Sequence, residues 1–193
     1  MITDIITQIH QAIDATAVVV HAITEDQWHL PTPCADWDVR AVANHLVGGM
    51  LAFPELLAGV TVDDDPTREH VGTDPASAFD AAARADHDAW SRPDALDGTV
   101  ALTFATLPAS MAAVIHLTEL VVHGLDLAVA TGQHDTIDEH LVEQLLDLMH
   151  SMGGIDAFRS PGFFGPEVHV NTAQPAHQRL LAYVGRNITC VAA

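Results

Sequence analysis

The chain has 193 residues, and 7 Lys+Arg against 26 Asp+Glu leave a formal net charge of −19, which argues against nucleic acid or any other partner held by phosphate contacts. At roughly 150 residues per domain the length fits one domain over 1–193, and 49% apolar residues suffice for a core and exclude a disordered chain. No apolar run approaches the roughly 20 residues that span a bilayer, and Met1-Ile-Thr-Asp-Ile-Ile lacks a basic signal-peptide region, so the expectation is a cytoplasmic protein with no membrane partner.

In chain order, Ile2, Ile5, Ile6, Ile9, Ile13, Ala17 and Val20 recur at spacings of three and four, which predicts a helix over about 3–23 burying one stripe. Pro31 and Pro33 then deny helix until Asp38, whose carboxylate suits the free N–H groups of a second helix starting at Val39. Its apolar positions Val42, Leu46, Val47, Met50 and Phe53 sustain the helical period to a stop at Gly59, before an exposed aspartate-rich loop. Asp74-Pro75 opens an alanine-rich third helix over about 77–90. Residues 98–106 alternate and are rich in β-branched side chains, fitting a short strand or extended chain. From Pro108 the longest and most apolar helix runs to Gly132, a fifth covers about 136–150, and a short last helix lies near 175–185. The glycine- and proline-rich stretch 153–174 reads as an ordered wrap in which Phe158, Phe163 and Phe164 are buried. Together these predict an all-α bundle with a short extended segment and a C-terminal loop plus short helix.

All seven basic residues are arginines, so lysine chemistry such as a Schiff base or a P-loop is excluded. Cys34 and Cys190 lie far apart and are expected as free thiols. The informative segment is His116-Leu-Thr-Glu119-Leu-Val-Val-His123-Gly-Leu-Asp126, because helix positions four apart differ by about 40° and about 6 Å of rise. Glu119 and His123 share a face, His116 and Asp126 flank them, and the row crosses an otherwise apolar helix. Burying such a carboxylate requires a proton, a cation or a metal, and the helix carries no arginine. On these residues alone a solvated Glu/His pair stands beside the metal reading, and His45, near the core-facing stripe of helix two, stands as either a hydrogen-bonded core residue or a ligand. Together His45, Glu119 and His123 form a two-His, one-carboxylate set of the kind catalytic zinc and non-haem metals use. Asp126 fits equally an imidazole-orienting group and an ordinary salt bridge, and Cys34 either a packed small residue or a group near a pocket mouth. Trp28, Trp37 and Trp90 read as core plugs or interface anchors, and the other histidines as solvated.

Pro31-Thr-Pro-Cys-Ala-Asp-Trp-Asp-Val-Arg-Ala-Val-Ala-Asn-His45-Leu and Glu119-Leu-Val-Val-His123-Gly-Leu-Asp-Leu-Ala-Val-Ala-Thr-Gly132 resemble the actinobacterial branch of the DinB/YfiT-like metalloprotein superfamily, in particular the N-terminal domain of mycothiol-dependent maleylpyruvate isomerase. Pro161-Gly-Phe-Phe-Gly-Pro-Glu and Arg179-Leu-Leu-Ala-Tyr-Val-Gly-Arg186 resemble its stand-alone metal-binding subfamily. The resemblance implies an up-and-down four-helix bundle, often paired as a homodimer. It also implies a divalent metal, zinc or alternatively nickel, held by His45, Glu119 and His123. The implied activity is that of a transferase or isomerase, in which the metal activates a small-molecule thiol, mycothiol, toward a small electrophile. Maleylpyruvate isomerase has a further C-terminal domain where this chain has a loop and a short helix, so that reaction is not carried over. Leu125 stands where the subfamily often has Trp, and His116 is expected beside the ligands or in the pocket wall. The alternative is a non-catalytic metal-binding or stress-response bundle that stores or senses a metal or small ligand. Metal-assisted hydrolysis is a third option.

Overall fold

The computed structural model describes residues 2–35, 37–62, 65, 68–160 and 163–187, with side chains from residue 5 onward. In order the elements are α1 (Ile2–His21), α2 (Val39–Leu57), α3 (Pro75–Trp90), β1 (Thr99–Ala101), β2 (Thr106–Pro108), α4 (Ala109–Ala130), α5 (Glu139–Ser151) and α6 (Ala176–Tyr183). Helix boundaries follow local chemistry. The Asp38 carboxylate accepts from the Ala41 N–H at the start of α2, and Asp74 accepts from Ser77 N–H while Pro75 occupies the first turn of α3. The extended segment is a two-stranded antiparallel hairpin in which Val100 pairs with Leu107.

Four helices form the bundle expected from the sequence. α4 packs on α1 and α2, and α3 closes the ring by packing on the same two. Successive helices α1 and α2 therefore lie across one diagonal and α3 and α4 across the other. The long connections 22–38 and 91–108 allow this, because a tight turn joins only adjacent antiparallel helices. The core draws on Ile9, Ile13, Met50, Phe79, Leu117 and Leu120, all with essentially no solvent exposure. Ile2 and Cys190, singled out in the sequence, have side chains outside the described residues.

Two expectations are corrected here. α4, 22 residues long with a mean hydropathy of 1.5, is long and apolar enough by length and composition to cross a membrane, and 78% of its most apolar 18-residue window is buried inside the fold. Its polar residues broke the apolar run in the sequence without lowering its average. In the wrap, Phe164 is half-buried, whereas Phe158 and Phe163 are 53% and 52% exposed. Backbone anchors hold that segment instead of aromatic burial: Arg159 Nη1 donates to the Gly165 carbonyl at 2.6 Å and the Tyr183 carbonyl at 2.9 Å. Gly165 N–H donates to the Val184 carbonyl at 3.2 Å. At that crossing Gly185 has φ +87°, and a Cβ there would lie 2.6 Å from Gly165 backbone atoms.

Candidate metal centre

α2 and α4 face each other across a cavity of about 1150 Å³, and the three residues singled out in the sequence meet on its wall. His45 Nε2 lies 3.0 Å from Glu119 Oε2, and His123 Nε2 lies 3.3 Å from the same oxygen. One donor atom from each of the three falls within 4.8 Å of the others. The helical period places Glu119 and His123 one turn apart on α4, and the α2–α4 packing brings His45 opposite them. The His123 side chain is 8% exposed, while those of His45 and Glu119 are 42% and 39% exposed, so the cluster is anchored on one side and open on the other. His45 is thus on the cavity wall, not in the core.

Behind this cluster the His123 Nδ1 pairs with Asp126 Oδ2 at 3.0 Å. Asp126 also accepts from Arg186 Nε, at 3.3 Å to each carboxylate oxygen. Asp126 therefore orients an imidazole and pairs with an arginine at once, and its cation comes from the C-terminal segment, not from its own helix. Burial disfavours the charged imidazolium of His123, but hydrogen bonds to Asp126 and Glu119 and their negative charges override it and push its pKa up to about 9. Burial raises Glu119, yet hydrogen bonds from His123 and His45 prevail and hold it well below the usual carboxylate range. A cluster that stabilises positive charge this strongly, with two nitrogens and a carboxylate oxygen converging on a cavity, fits the donor set of a divalent cation. On binding a divalent cation His123 would lose its Nε2 proton, and with Nδ1–H donating to Asp126 the freed Nε2 lone pair would face Glu119 and His45, as ligation demands.

Trp37 and His116 were misplaced by the sequence reading, and Cys34 takes the pocket-mouth alternative of its two. Trp37 was read as a core plug or interface anchor, yet its ring lies 4.8 Å from that of His45 and 5.5 Å from that of His123, covering one side of the cluster. Cys34 is half-buried and lines the cavity, with its sulfur within 4.8 Å of donor atoms of His123 and Asp126. The proximity of Cys34 and Trp37 to Asp38, which starts α2 two turns before His45, was the available signal. His116 departs from the expected row. Its Nε2 pairs with the buried Asp86 of α3 at 2.6 Å, and its ring packs behind the cavity-lining Phe53 at 4.0 Å. Not all the remaining histidines are solvated either: His177 is buried and paired with Glu139, and His10 stacks on His87 at 3.5 Å.

Residues 9–128, which carry the whole cluster, match the family model of the mycothiol maleylpyruvate isomerase N-terminal domain. Two uncharacterized proteins of Mycobacterium tuberculosis, from strains CDC 1551 / Oshkosh and ATCC 25618 / H37Rv, are each 29% identical to the chain over 181 residues, covering 93% of it and 96% of their own length. No solved structure gives a significant match.

Proposed function

The chain belongs to the mycothiol maleylpyruvate isomerase N-terminal domain family, within the DinB-like superfamily, and from that membership and the cavity geometry we propose that it binds one divalent metal through His45, Glu119 and His123 for use in thiol chemistry. The observation that carries this reading is the convergence of the three donor atoms within 4.8 Å on the wall of an open cavity. Zinc is the first candidate, since two imidazoles and a carboxylate with room for a further ligand is a donor set of its catalytic sites. Nickel is the alternative.

A divalent cation in such a site favours thiolate over thiol, giving a low-molecular-weight thiol such as mycothiol the nucleophilicity to react with a small electrophile at neutral pH. The protein's own groups prepare the site for this. Asp126 fixes the His123 ring and Arg186 fixes Asp126, so the Nε2 donor is held without reorganisation. Glu119 contributes one negative charge against two of the cation, leaving a net positive site that suits an anionic sulfur. Trp37 covers the two imidazoles on one side and limits water there. The cavity volume accommodates a thiol and an electrophile together. These features support a transferase or isomerase, and the mycothiol-related family domain is what suggests the cytoplasm as its location. The exposure of His45 and Glu119 supports a second reading, a bundle that exchanges its ion and senses or stores it without turnover.

The test is elemental analysis of protein purified without a histidine tag, for wild type beside His45→Ala and His123→Ala. About one divalent metal per wild-type chain, lost in both variants, is the expected result. A wild type that stays empty after zinc or nickel is added, or variants that retain the metal, would sink the proposal. Metal-dependent consumption of mycothiol with a model electrophile then separates catalysis from storage.

A further inference from the structure

Two adjacent glycines, Gly48 and Gly49, lie inside α2, where glycine weakens a helix relative to alanine. Each therefore needs a reason. For Gly48 it is packing: a Cβ there would come within 3.0 Å of His70 Cδ2. His70 is fixed in place because Asn44 Oδ1 accepts from its backbone N–H at 2.6 Å and from that of Val71 at 3.2 Å. Gly49 has no such reason. A Cβ there meets nothing within 4 Å, and the backbone is in an ordinary helical conformation. Gly49 stands one turn beyond His45 and lines the cavity, so what the missing side chain leaves is space beside the candidate centre.

The surroundings of that space define what fits it. The same cavity is lined on the α2 side by Ala52 and Phe53 and on the α4 side by Ile115, Thr118 and Val122. The one hydroxyl among these, on Thr118, donates to the Val114 carbonyl at 2.8 Å, so its proton is spent within α4 and the slot presents no donor. Phe53 packs against the His116 and Trp90 rings, at 4.0 and 5.5 Å, so this wall is backed by buried rings. We propose that Gly49 keeps open a slot between α2 and α4 that takes the neutral, apolar, ring-sized body of a small organic molecule whose polar end reaches His45, Glu119 and His123. The polar end rests on the function proposed above. The slot stands on the packing alone and is tested with or without metal.

The probe is 2-naphthol, neutral at pH 7 with an apolar two-ring body and one hydroxyl as its polar end, followed by its own fluorescence in metal-free and zinc-treated protein. Saturable binding to wild type is expected, weakened at least tenfold by Gly49→Leu and by Ile115→Trp, which fill the slot from opposite walls. Gly49→Ala is expected to melt at or above the wild-type temperature while weakening the probe a few-fold, because alanine strengthens the helix and narrows the slot. This variant and Ile115→Trp keep the test decisive if Gly49→Leu does not fold. Absence of saturable binding to wild type, or unchanged affinity in both slot-filling variants, overturns the proposal. Zinc content measured on the same samples separates the two ideas: 2-naphthol binding that responds to the variants in a protein that takes no zinc supports the slot and removes the metal reading.

Discussion

His123 is bracketed by two carboxylates, Glu119 at its Nε2 and Asp126 at its Nδ1, and this fixes how the metal-free protein responds to pH. Its pKa is raised from the ordinary 6.5 to about 9, so the charged imidazolium contributes stability that is fully present below pH 6.5 and is lost as pH rises through about 9. Glu119 is shifted the other way, and its contribution is lost only in acid. Thermal melts of metal-free protein are expected to show a falling melting temperature between pH 7 and 9.5, with a flatter slope in Asp126→Asn. A slope that this variant leaves unchanged would place the pH dependence elsewhere. With metal, the same substitution is expected to weaken zinc affinity by about 10- to 100-fold, read by chelator competition, because the imidazole loses the group that orients it. At this scale Glu119 and His123 were legible because a helical period is local. The Arg186–Asp126 pair was not, since it joins positions 60 apart that only the completed fold makes neighbours.

Helices were the most legible elements where polar side chains cap them. Asp38 and Asp74 mark their starts in the sequence and occupy the N-cap positions in the structure. Removing the α2 cap with Asp38→Ala is expected to cost about 1 kcal/mol in chemical denaturation. The diagonal arrangement of α1 and α2 was less accessible, because hydrophobic stripes show that a face is buried but not against which partner. The wrap 153–174 was misjudged on Phe158 and Phe163, since aromatic content says nothing about a segment held by backbone carbonyls and Arg159. That crossing is sensitive to a single methyl group. Gly185→Ala places a Cβ against Gly165 at a positive φ, and a loss of roughly 1–3 kcal/mol is expected, with faster amide exchange at Gly165 and Val168, whose N–H groups bond to Val184 and Ala182.

Across the whole molecule, a formal charge of −19 with only seven arginines makes self-repulsion a steady cost of compaction. Raising ionic strength from about 10 to 300 mM, which shortens the screening length from about 30 Å to under 10 Å, is expected to raise the melting temperature. A protein whose melting is indifferent to salt would show that its acidic residues are already locally compensated. The cavity, finally, is built from two kinds of material. Its floor and slot belong to α2 and α4, whose residues also form the bundle core. Its rim comes from the β1–β2 turn and the wrap, where the exposed Phe104 and Phe163 meet edge to face at 5.7 Å. Substitutions at the rim can therefore change which molecules are admitted without disturbing the helical packing, whereas changes at the floor alter stability and ligand chemistry together. An alignment of relatives is therefore expected to show divergence first at those two loops, around a candidate metal centre that changes more slowly.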